Sequence, residues 1–198
     1  IINKNIQSEA RKVRYSLLTS FCKKKNINVI LTAHNLEDQV ETFFIRLSRG
    51  SGLDGLSSMK KINKIERSIK LVRPLLDFKK IELIKISKII FGKYYKDPSN
   101  KNTKYLRTRI RNLKEILETS GINYDQVIKS IKNLASSKDT LEQYFNQIYK
   151  NIVNKKKSEI MIDLKIFNKI NQEMKMRVLK KAIKDLTKVY YVARSKKI

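Results

Sequence analysis

At residues 27–47 the chain runs INVILTAHNLEDQVETFFIRL, a short apolar segment followed at once by an amphipathic one. The first part, Ile27 to Ala33, has the near-continuous apolar character of a central parallel strand. The second part predicts a helix, because Asn35 suits an N-cap and apolar residues then recur at helical spacing. Those apolar residues are Val40, Phe43, Phe44 and Leu47. His34 therefore lies just beyond the carboxyl end of a strand, where open α/β sheets bind their ligands.

The segments on either side extend the same alternation of helix and strand. A first helix is predicted from about Ser8 to Lys25, and a second strand is predicted from Ser68 to Val72, closed by Pro74. Asp77 can cap a further helix that runs to about Phe91 and ends at Gly92, whereas Ser51 to Met59 is predicted to be a loop. The apolar face expected to be buried on the first helix consists of Ala10, Val13, Leu17, Leu18 and Phe21. This order of elements predicts an α/β domain with a parallel sheet.

From about Tyr105 onward the pattern becomes helical. Two stripes are expected, one of Leu106, Ile110, Leu113 and Leu117, and one running from Val127 to Ile152 on a helix of up to about 30 residues. Glu159 to Leu164 alternates as a short extended piece would, and Met174, Val178, Ala182 and Leu186 form a last helical stripe. We therefore expect a boundary near residue 115, with an α/β part at 1–115 and an all-α part at 116–198.

Composition limits the class of protein. The 198 residues carry 45 Lys and Arg against 18 Asp and Glu, a net charge of +27, which favours a nucleic-acid partner. Abundant Lys, Ile and Asn would also follow from an AT-rich gene, so some lysines need have no partner. Cys22 is the only cysteine, which excludes an internal disulfide and a Cys-rich zinc site. No apolar run approaches the roughly 18 residues of a membrane span and no signal peptide opens the chain, so we expect a cytoplasmic protein.

Three side chains after the first strand could carry chemistry. Asp38 and Glu41 are three residues apart on the predicted helix and so share a face, beside His34. Two carboxylates next to an imidazole could hold a cationic amine, or a metal ion that carries phosphates. On residue types alone the simpler explanation is preferred: acidic residues in a first turn complement the helix dipole, and a lone histidine is usually an ordinary polar residue.

Longer motifs change that balance. The segment from His34 to Thr42, followed by RLSRGSGLDGL at residues 46–56, resembles the signature of tRNA(Ile)-lysidine synthases, which are PP-loop ATP pyrophosphatases. Further blocks resemble the same family in the same order: QSEARKVRY at 7–15, RPLL at 73–76, DPSN at 97–100 and YLRTRIR at 105–111, with YY and RSKK at 190–191 and 194–197. The resemblance covers most of residues 7–115 and the remainder more thinly.

The resemblance implies a fold and a reaction. The fold would be the C-terminal part of a Rossmann-like PP-loop domain (adenine nucleotide alpha hydrolase-like), followed by an all-α domain that binds tRNA or substrate. In the family, ATP with Mg²⁺ adenylates the wobble cytidine of a tRNA(Ile) whose anticodon is CAU. The ε-amine of free L-lysine then displaces AMP and forms lysidine. An oligomer is compatible with this reading.

The resemblance also implies roles for individual residues. Arg14 and His34 would lie against the ATP phosphates or the adenylate, and together with Asp38 they would be the catalytic residues. Asp38 and Glu41 would bind the lysine substrate, which agrees with the physics of carboxylates and amines. The expected tRNA contacts are Arg46, Arg49, Arg107, Arg109 and Arg111. No metal ligands are assigned.

The chain also departs from the family. The family's phosphate-binding loop, Ser-Gly-Gly-x-Asp-Ser, has no counterpart among the five glycines here, and the first strands of its sheet are missing. Because the chain also begins with Ile1, we expect a piece of a longer protein that is inactive alone. Two alternatives stay open. One is another PP-loop tRNA-modifying enzyme, such as a cytidine thiolase, although these typically have paired cysteines. The other is a non-enzymatic basic RNA-binding module.

Overall fold

The computed structural model describes residues 6–66, 68–95, 97, 102–156 and 159–187. Residues 98–100 of the DPSN block and the segments at 190–191 and 194–197 lie outside the described residues. Contacts divide the chain into two units, with the division between Ala135 and Ser136. The domain boundary expected near residue 115 from the change of sequence pattern stays a prediction. No helix in the described part is both long enough and apolar enough to cross a membrane.

The first unit alternates helices and short strands. Its elements are α1 (Ile6–Lys24), β1 (Val29–Leu31), α2 (Leu36–Leu47), α3 (Leu53–Leu56), β2 (Ile62–Lys64), β3 (Lys70–Val72), α4 (Lys80–Phe91), α5 (Leu106–Asn112), α6 (Lys114–Thr119) and the beginning of α7 (Tyr124–Ile152). The loop predicted at Ser51 to Met59 contains the single-turn helix α3. The α/β class is confirmed.

The strands form one three-stranded sheet in the order β1-β3-β2. β1 and β3 pair in parallel, with Leu31 opposite Val72, as the two predicted strands require. β2 pairs antiparallel to β3 and was not predicted, because its three residues, Ile62 to Lys64, are all exposed and show no apolar alternation. The carboxyl ends of β1 and β3 therefore lie side by side at one edge of the sheet, which is called the carboxyl edge below.

The buried face of α1 differs from the prediction. Val13, Leu17 and Phe21 are 56%, 66% and 55% exposed, and Leu18 is 38% exposed. The helix instead packs through Cys22 and the half-buried Tyr15 onto a core of Ile30, Ile69 and Leu71. Helical spacing identifies an apolar face, but it does not say which other segment covers that face. No described residue buries the predicted face.

Helix α2 begins as predicted. Asn35 is its N-cap, and its side chain and that of Asp38 form a reciprocal capping box. Val40 is completely buried and packs with Leu36 against the first turns of α7, in a core completed by Tyr124, Val127 and Ile131. The predicted face was partly wrong, since Phe43 and Phe44 lie at the border of this core and Leu47 is 48% exposed.

The N-cap of helix α4 lies two residues after the predicted cap. Lys79 is the N-cap, and its backbone N–H donates to the Glu82 carboxylate at 2.7 Å. Asp77 is not the cap, because its carboxylate pairs with Lys61 instead. The predicted end is confirmed: Gly92 adopts the left-handed conformation, with φ of +69°, which favours glycine.

The second unit is mainly helical. It contains the remainder of the 29-residue α7, a ribbon of β4 (Val153–Lys155) and β5 (Ile160–Ile162), then α8 (Leu164–Lys169) and α9 (Gln172–Thr187). Its core consists of Phe145, Tyr149, Ile152, Met174 and Val178. The long helix and the extended piece are confirmed, and so is the last stripe except for Leu186, which is 52% exposed.

Candidate active site at the carboxyl edge of the sheet

His34 lies at the carboxyl edge. The backbone N–H of Thr32 donates to the Val72 carbonyl at 3.0 Å, and this bond joins the two strand ends. The imidazole Nδ1 of His34 is 3.0 Å from Thr32 Oγ1, and the side chain is half-buried. Burial lowers the pKa of His34, and nearby guanidinium groups lower it further against the opposing effect of Asp38. The imidazole is therefore neutral near pH 7 and able to accept a proton.

Asp38 is held by the backbone and still faces solvent. Its Oδ2 accepts a hydrogen bond from the Asn35 N–H at 3.0 Å, and its own N–H donates to Asn35 Oδ1 at 3.1 Å. Its side chain is 19% exposed, and the nearest cationic atom is Nη2 of Arg107, at 3.9 Å from Oδ1. Asp38 therefore presents a fixed carboxylate whose one ion pair among the described residues, with Arg107, is long.

Glu41 is buried and paired with arginines of α5. Arg111 donates to Glu41 twice, from Nε at 2.7 Å and from Nη2 at 3.1 Å. This hydrogen bonding is the chief cause that raises the pKa of Arg111. Arg107 places Nε 3.0 Å from Glu41 Oε2, but the N–H is not directed at the carboxylate, so the contact is one of charge alone. Arg107 also donates from Nη2 to Thr42 Oγ1 at 3.1 Å. Helices α2 and α5 are thus joined by ionic contacts.

A cavity of about 430 Å³ opens beside these carboxylates. Helix α4 forms one wall and is fastened to α2, because the Lys80 N–H donates to Glu37 Oε2 at 2.8 Å. The lining combines carboxylates, cations, apolar groups and two further polar residues, namely Glu37, Asp38, Glu41, Lys80, Arg111, Lys114, Ile81, Ile84, Asn35 and Tyr124. Burial raises the pKa of Tyr124 to about 12, so its phenol stays protonated. The cavity therefore has negatively and positively charged side chains next to an aliphatic surface.

The loop after α2 is held by side-chain bonds. Arg46 donates from Nη1 to the carbonyls of Gly55 and Ser58, at 2.6 and 3.0 Å. Gln39 fixes the end of the same loop, donating to Met59 O at 2.9 Å and accepting from Ser58 Oγ at 2.7 Å. A Cβ on Gly55 would lie 2.6 Å from Ser51 Cβ, so this position requires glycine. Burial lowers the pKa of Arg46. Part of the hydrogen-bonding capacity of its side chain is used to organise the loop.

The other predicted arginines differ in their surroundings. Arg109 is exposed and donates from Nη1 to the carbonyls of Thr103 and Lys104, both at 3.3 Å. Arg14 and Arg49 are exposed. The structure thus brings together His34, Asp38, Glu41, Arg107 and Arg111, and it does not bring Arg14 or Arg49 into contact with them. The roles of all these residues in binding ATP, lysine and tRNA stay predictions.

Two arginines near His34 were not assigned a role from the sequence. Arg73 is the first residue after β3 and is 4% exposed, and its Nη1 donates to the Lys60 carbonyl at 2.7 Å. Arg11 lies over the ring of Tyr15, with Cζ 4.9 Å from the ring centre. Both lower the pKa of His34. The position of Arg73 directly after a strand of the parallel pair was the available signal, since such positions face the ligand edge.

Comparison with known proteins gives consistent relatives. Residues 2–118 match the family described as the PP-loop domain. The chain is 36% identical over 194 residues to the tRNA(Ile)-lysidine synthase of Wolbachia pipientis wMel, covering 98% of this chain and 45% of that protein. It is 34% identical over 186 residues to the protein of the same name from Orientia tsutsugamushi (strain Boryong), covering 90% of this chain and 42% of that protein. The chain therefore spans less than half the length of these relatives.

A solved structure supports the fold. The U34-tRNA thiolase from Methanococcus maripaludis superposes with a TM-score of 0.53 at 19% identity, covering 69% of this chain and 46% of that chain. At this level of identity the likeness concerns the fold alone.

Proposed function

The chain belongs to the PP-loop domain family, and from this premise we propose that it is part of a tRNA(Ile)-lysidine synthase. The proposed reaction joins L-lysine to the wobble cytidine of a CAU anticodon, at the expense of ATP. The observation that carries the proposal is the similarity to a tRNA(Ile)-lysidine synthase over 98% of the chain. The geometry of the site described above supports it independently.

The cavity beside α2 suits free lysine. Its carboxylates suit the substrate's ammonium groups, while Ile81 and Ile84 offer an apolar surface to the four methylene groups of the lysine side chain. Lys114 and Arg111 also line the cavity, and their positive charges suit the substrate carboxylate. Of the two carboxylates expected to bind lysine, Asp38 is the accessible one. Glu41 already holds Arg111, so a substrate amine that reaches Glu41 has to compete with that guanidinium.

The attacking amine must lose a proton before it can form the new carbon–nitrogen bond. An ordinary lysine ammonium group has a pKa of about 10.4 and is therefore protonated near neutral pH. We assign the acceptor role to the neutral imidazole of His34, with Asp38 holding the amine nearby. Arg14 keeps its proposed role at the phosphates, and its side chain is exposed. Arg73 and Arg11 are close enough to His34 to lower its pKa.

ATP is expected as the energy source, in keeping with the family. Cationic side chains at the carboxyl edge fit its phosphates: the buried guanidinium of Arg73 has a hydrogen-bonding atom, Nε, that lacks a partner in the described part. When bound, ATP supplies the adenylyl group that makes the cytidine carbon electrophilic. We propose that Mg²⁺ accompanies the phosphates, as is usual for nucleotide sites. In the described part no group of three or more His, Cys, Asp or Glu side chains is placed to hold a metal ion.

The proposed RNA partner follows from charge as well as from similarity. The chain carries a net charge of +27, and phosphate contacts dominate the affinity of basic proteins for nucleic acid. Arg49 and Arg109 are exposed and suited to such contacts. Arg107 and Arg111 retain that proposed role only in part, because Glu41 already engages both.

The fold match to a thiolase raises a second candidate, sulfur transfer to tRNA. The single cysteine of this chain, Cys22, is buried in α1, which does not favour it. A basic RNA-binding module without activity is the remaining alternative, and it requires no particular arrangement around Asp38.

The test is lysine incorporation into RNA. A full-length protein that contains this chain is incubated with a CAU-anticodon isoleucine tRNA transcript, ATP and labelled lysine, and label in the RNA is counted. We expect ATP-dependent incorporation that is strongly reduced at low lysine concentration in Asp38→Asn and retained in Lys24→Gln, a charge-changing control on the exposed side of α1. A folded protein that binds the tRNA without incorporating lysine would contradict the proposal and favour the binding module.

A further inference from the structure

Two carboxylates of α2 meet two arginines of α5, and these four side chains are called the ionic quartet here: Asp38, Glu41, Arg107 and Arg111. Their formal charges cancel within the group. Asp38, Glu41 and Arg111 line the cavity proposed above for lysine. The Arg107 side chain contacts both carboxylates and is 40% exposed. The quartet therefore connects the cavity to a cation that also faces solvent.

The two arginines of the quartet are held differently. Arg111 donates two hydrogen bonds to Glu41, at 2.7 and 3.1 Å. Arg107 Nε lies 3.0 Å from Glu41 Oε2, yet this buried atom has no hydrogen-bond partner in the described part. Its Nη2 donates to Thr42 Oγ1 at 3.1 Å and is 3.9 Å from Asp38 Oδ1. A buried donor without a hydrogen bond is unfavourable, so Arg107 is the arginine that loses less on leaving the quartet.

Binding of lysine changes the charge of this group. Free lysine near neutral pH has two ammonium groups and one carboxylate, so it adds about one net positive charge. An ammonium group on Asp38 takes the carboxylate that is now nearest to Nη2 of Arg107. Solvent screens the neighbouring charges weakly, since the Glu41 side chain is only 2% exposed. Repulsion between the ammonium group and the guanidinium therefore favours the departure of Arg107.

A displaced guanidinium needs another anion, and RNA provides one. A phosphate group can accept two parallel hydrogen bonds from a guanidinium. The net charge of +27 favours RNA near this chain, and Arg109, two residues further along α5, is exposed as well. The outer side of α5 is therefore suited to a phosphate contact by Arg107.

We propose that Arg107 couples the two substrates: bound lysine displaces it from the ionic quartet toward an RNA phosphate, so that lysine and RNA each strengthen the binding of the other. The inference rests on the proposed function, which supplies both substrates. The coupling is reciprocal, because an RNA that holds Arg107 outside the quartet leaves Asp38 open to the ammonium group.

The experiment measures lysine binding by calorimetry in a full-length protein that contains this chain. ATP is omitted so that no lysine is consumed. The Kd for L-lysine is determined without RNA and with a saturating CAU-anticodon isoleucine tRNA transcript. We expect binding of lysine about fivefold tighter with the RNA, and binding of the RNA tighter by the same factor with saturating lysine.

Two variants of α5 distinguish this coupling from a structural effect. In Arg107→Gln, lysine alone should bind about twofold more tightly because a competing cation is removed, and RNA should no longer change that affinity. A merely structural role would weaken lysine binding instead. The control is Arg109→Gln, which removes the same charge from a side chain that donates only to the carbonyls of Thr103 and Lys104 among the described residues. It should weaken RNA binding and retain the coupling.

Each outcome supports or overturns the inference. Coupling that is present in the unaltered protein and in Arg109→Gln but lost in Arg107→Gln supports it. Equal coupling in Arg107→Gln would mean a general attraction of cationic lysine to bound RNA and would overturn it. A protein that forms lysidine but shows no coupling refutes this inference and leaves the proposed function intact, whereas a folded protein that binds no lysine refutes both.

Discussion

The contact between Glu41 and Arg111 should contribute measurably to stability, and a double-mutant cycle can isolate that contribution. The perturbations are Glu41→Gln, Arg111→Gln and the two combined. Glu41→Gln keeps the size of the side chain and removes its charge, whereas Arg111→Gln removes the charge and shortens the side chain. Glu41 accepts two hydrogen bonds from Arg111, at 2.7 and 3.1 Å, and its side chain is 2% exposed.

The expected magnitude lies between two limits. Breaking a fully buried ion pair by removing one partner costs about 3–5 kcal/mol, whereas an exposed pair contributes about 0.2–1 kcal/mol. The Arg111 side chain is 32% exposed, so solvent screens one end of the pair. We therefore expect a coupling free energy of about 2 kcal/mol. Each single variant should lose more unfolding free energy than this coupling term, because it also leaves the remaining partner without its counter-charge.

The assay is urea unfolding followed by far-ultraviolet circular dichroism. Because the chain has two compact units, the cycle is essential: contributions from the second unit cancel in the coupling term. The control cycle uses Glu9 and Lys12 on α1, whose side chains are 50% and 66% exposed and whose contact is 2.8 Å. It should give about 0.3 kcal/mol. A coupling between Glu41 and Arg111 as small as the control would refute the reasoning that burial strengthens this pair.

Three further predictions concern the site and its loop. By NMR, the pKa of His34 should lie below 6.5 and rise in Arg11→Gln; a midpoint at or above 6.5 in the unaltered chain would argue against a burial-dominated environment. Since this folded-state pKa is lower than the unfolded one, protonation favours the unfolded chain, and the contribution of His34 to stability should fall as pH drops below 6.5. Gly55→Ala should destabilise by about 1–3 kcal/mol in urea because its Cβ meets Ser51, whereas Gly52→Ala has open space and should cost less than about 1 kcal/mol; equal losses would discount the steric argument. In the full-length enzyme, Asp38→Asn should raise the KM for lysine about tenfold or more and leave the KM for ATP within about twofold, and equal changes in both would contradict the lysine-binding role.

Local patterns predicted local structure well. The N-cap at Asn35 and the end of α4 at Gly92 depend on neighbouring residues only, and both were found. The parallel pairing of β1 and β3 followed from two apolar runs separated by a helix. The antiparallel strand β2 was missed because it is too short and too polar to show a pattern.

Contacts between distant parts of the chain could not be predicted in the same way. Glu41 and Arg111 are 70 residues apart, and no rule of spacing relates them, so Arg111 was assigned to RNA alone. Arg46 belongs to a motif that the sequence analysis identified, yet its bonds to the carbonyls of Gly55 and Ser58 required the folded loop. Arg73 was quoted for its motif without a role, because burial of an arginine cannot be seen in a sequence.

The uncovered face of α1 affects how the molecule behaves in solution. Val13, Leu17 and Phe21 form an exposed apolar strip on a chain with a net charge of +27. At low ionic strength charge repulsion keeps such molecules apart, but at 1 M salt the screening length shrinks to about 3 Å and the strip can drive self-association. Added salt weakens phosphate binding at the same time. Light scattering across a salt series should therefore show particle size growing as affinity for RNA declines, so the ionic strength chosen for purification sets whether this protein is recovered as separate molecules or as clusters.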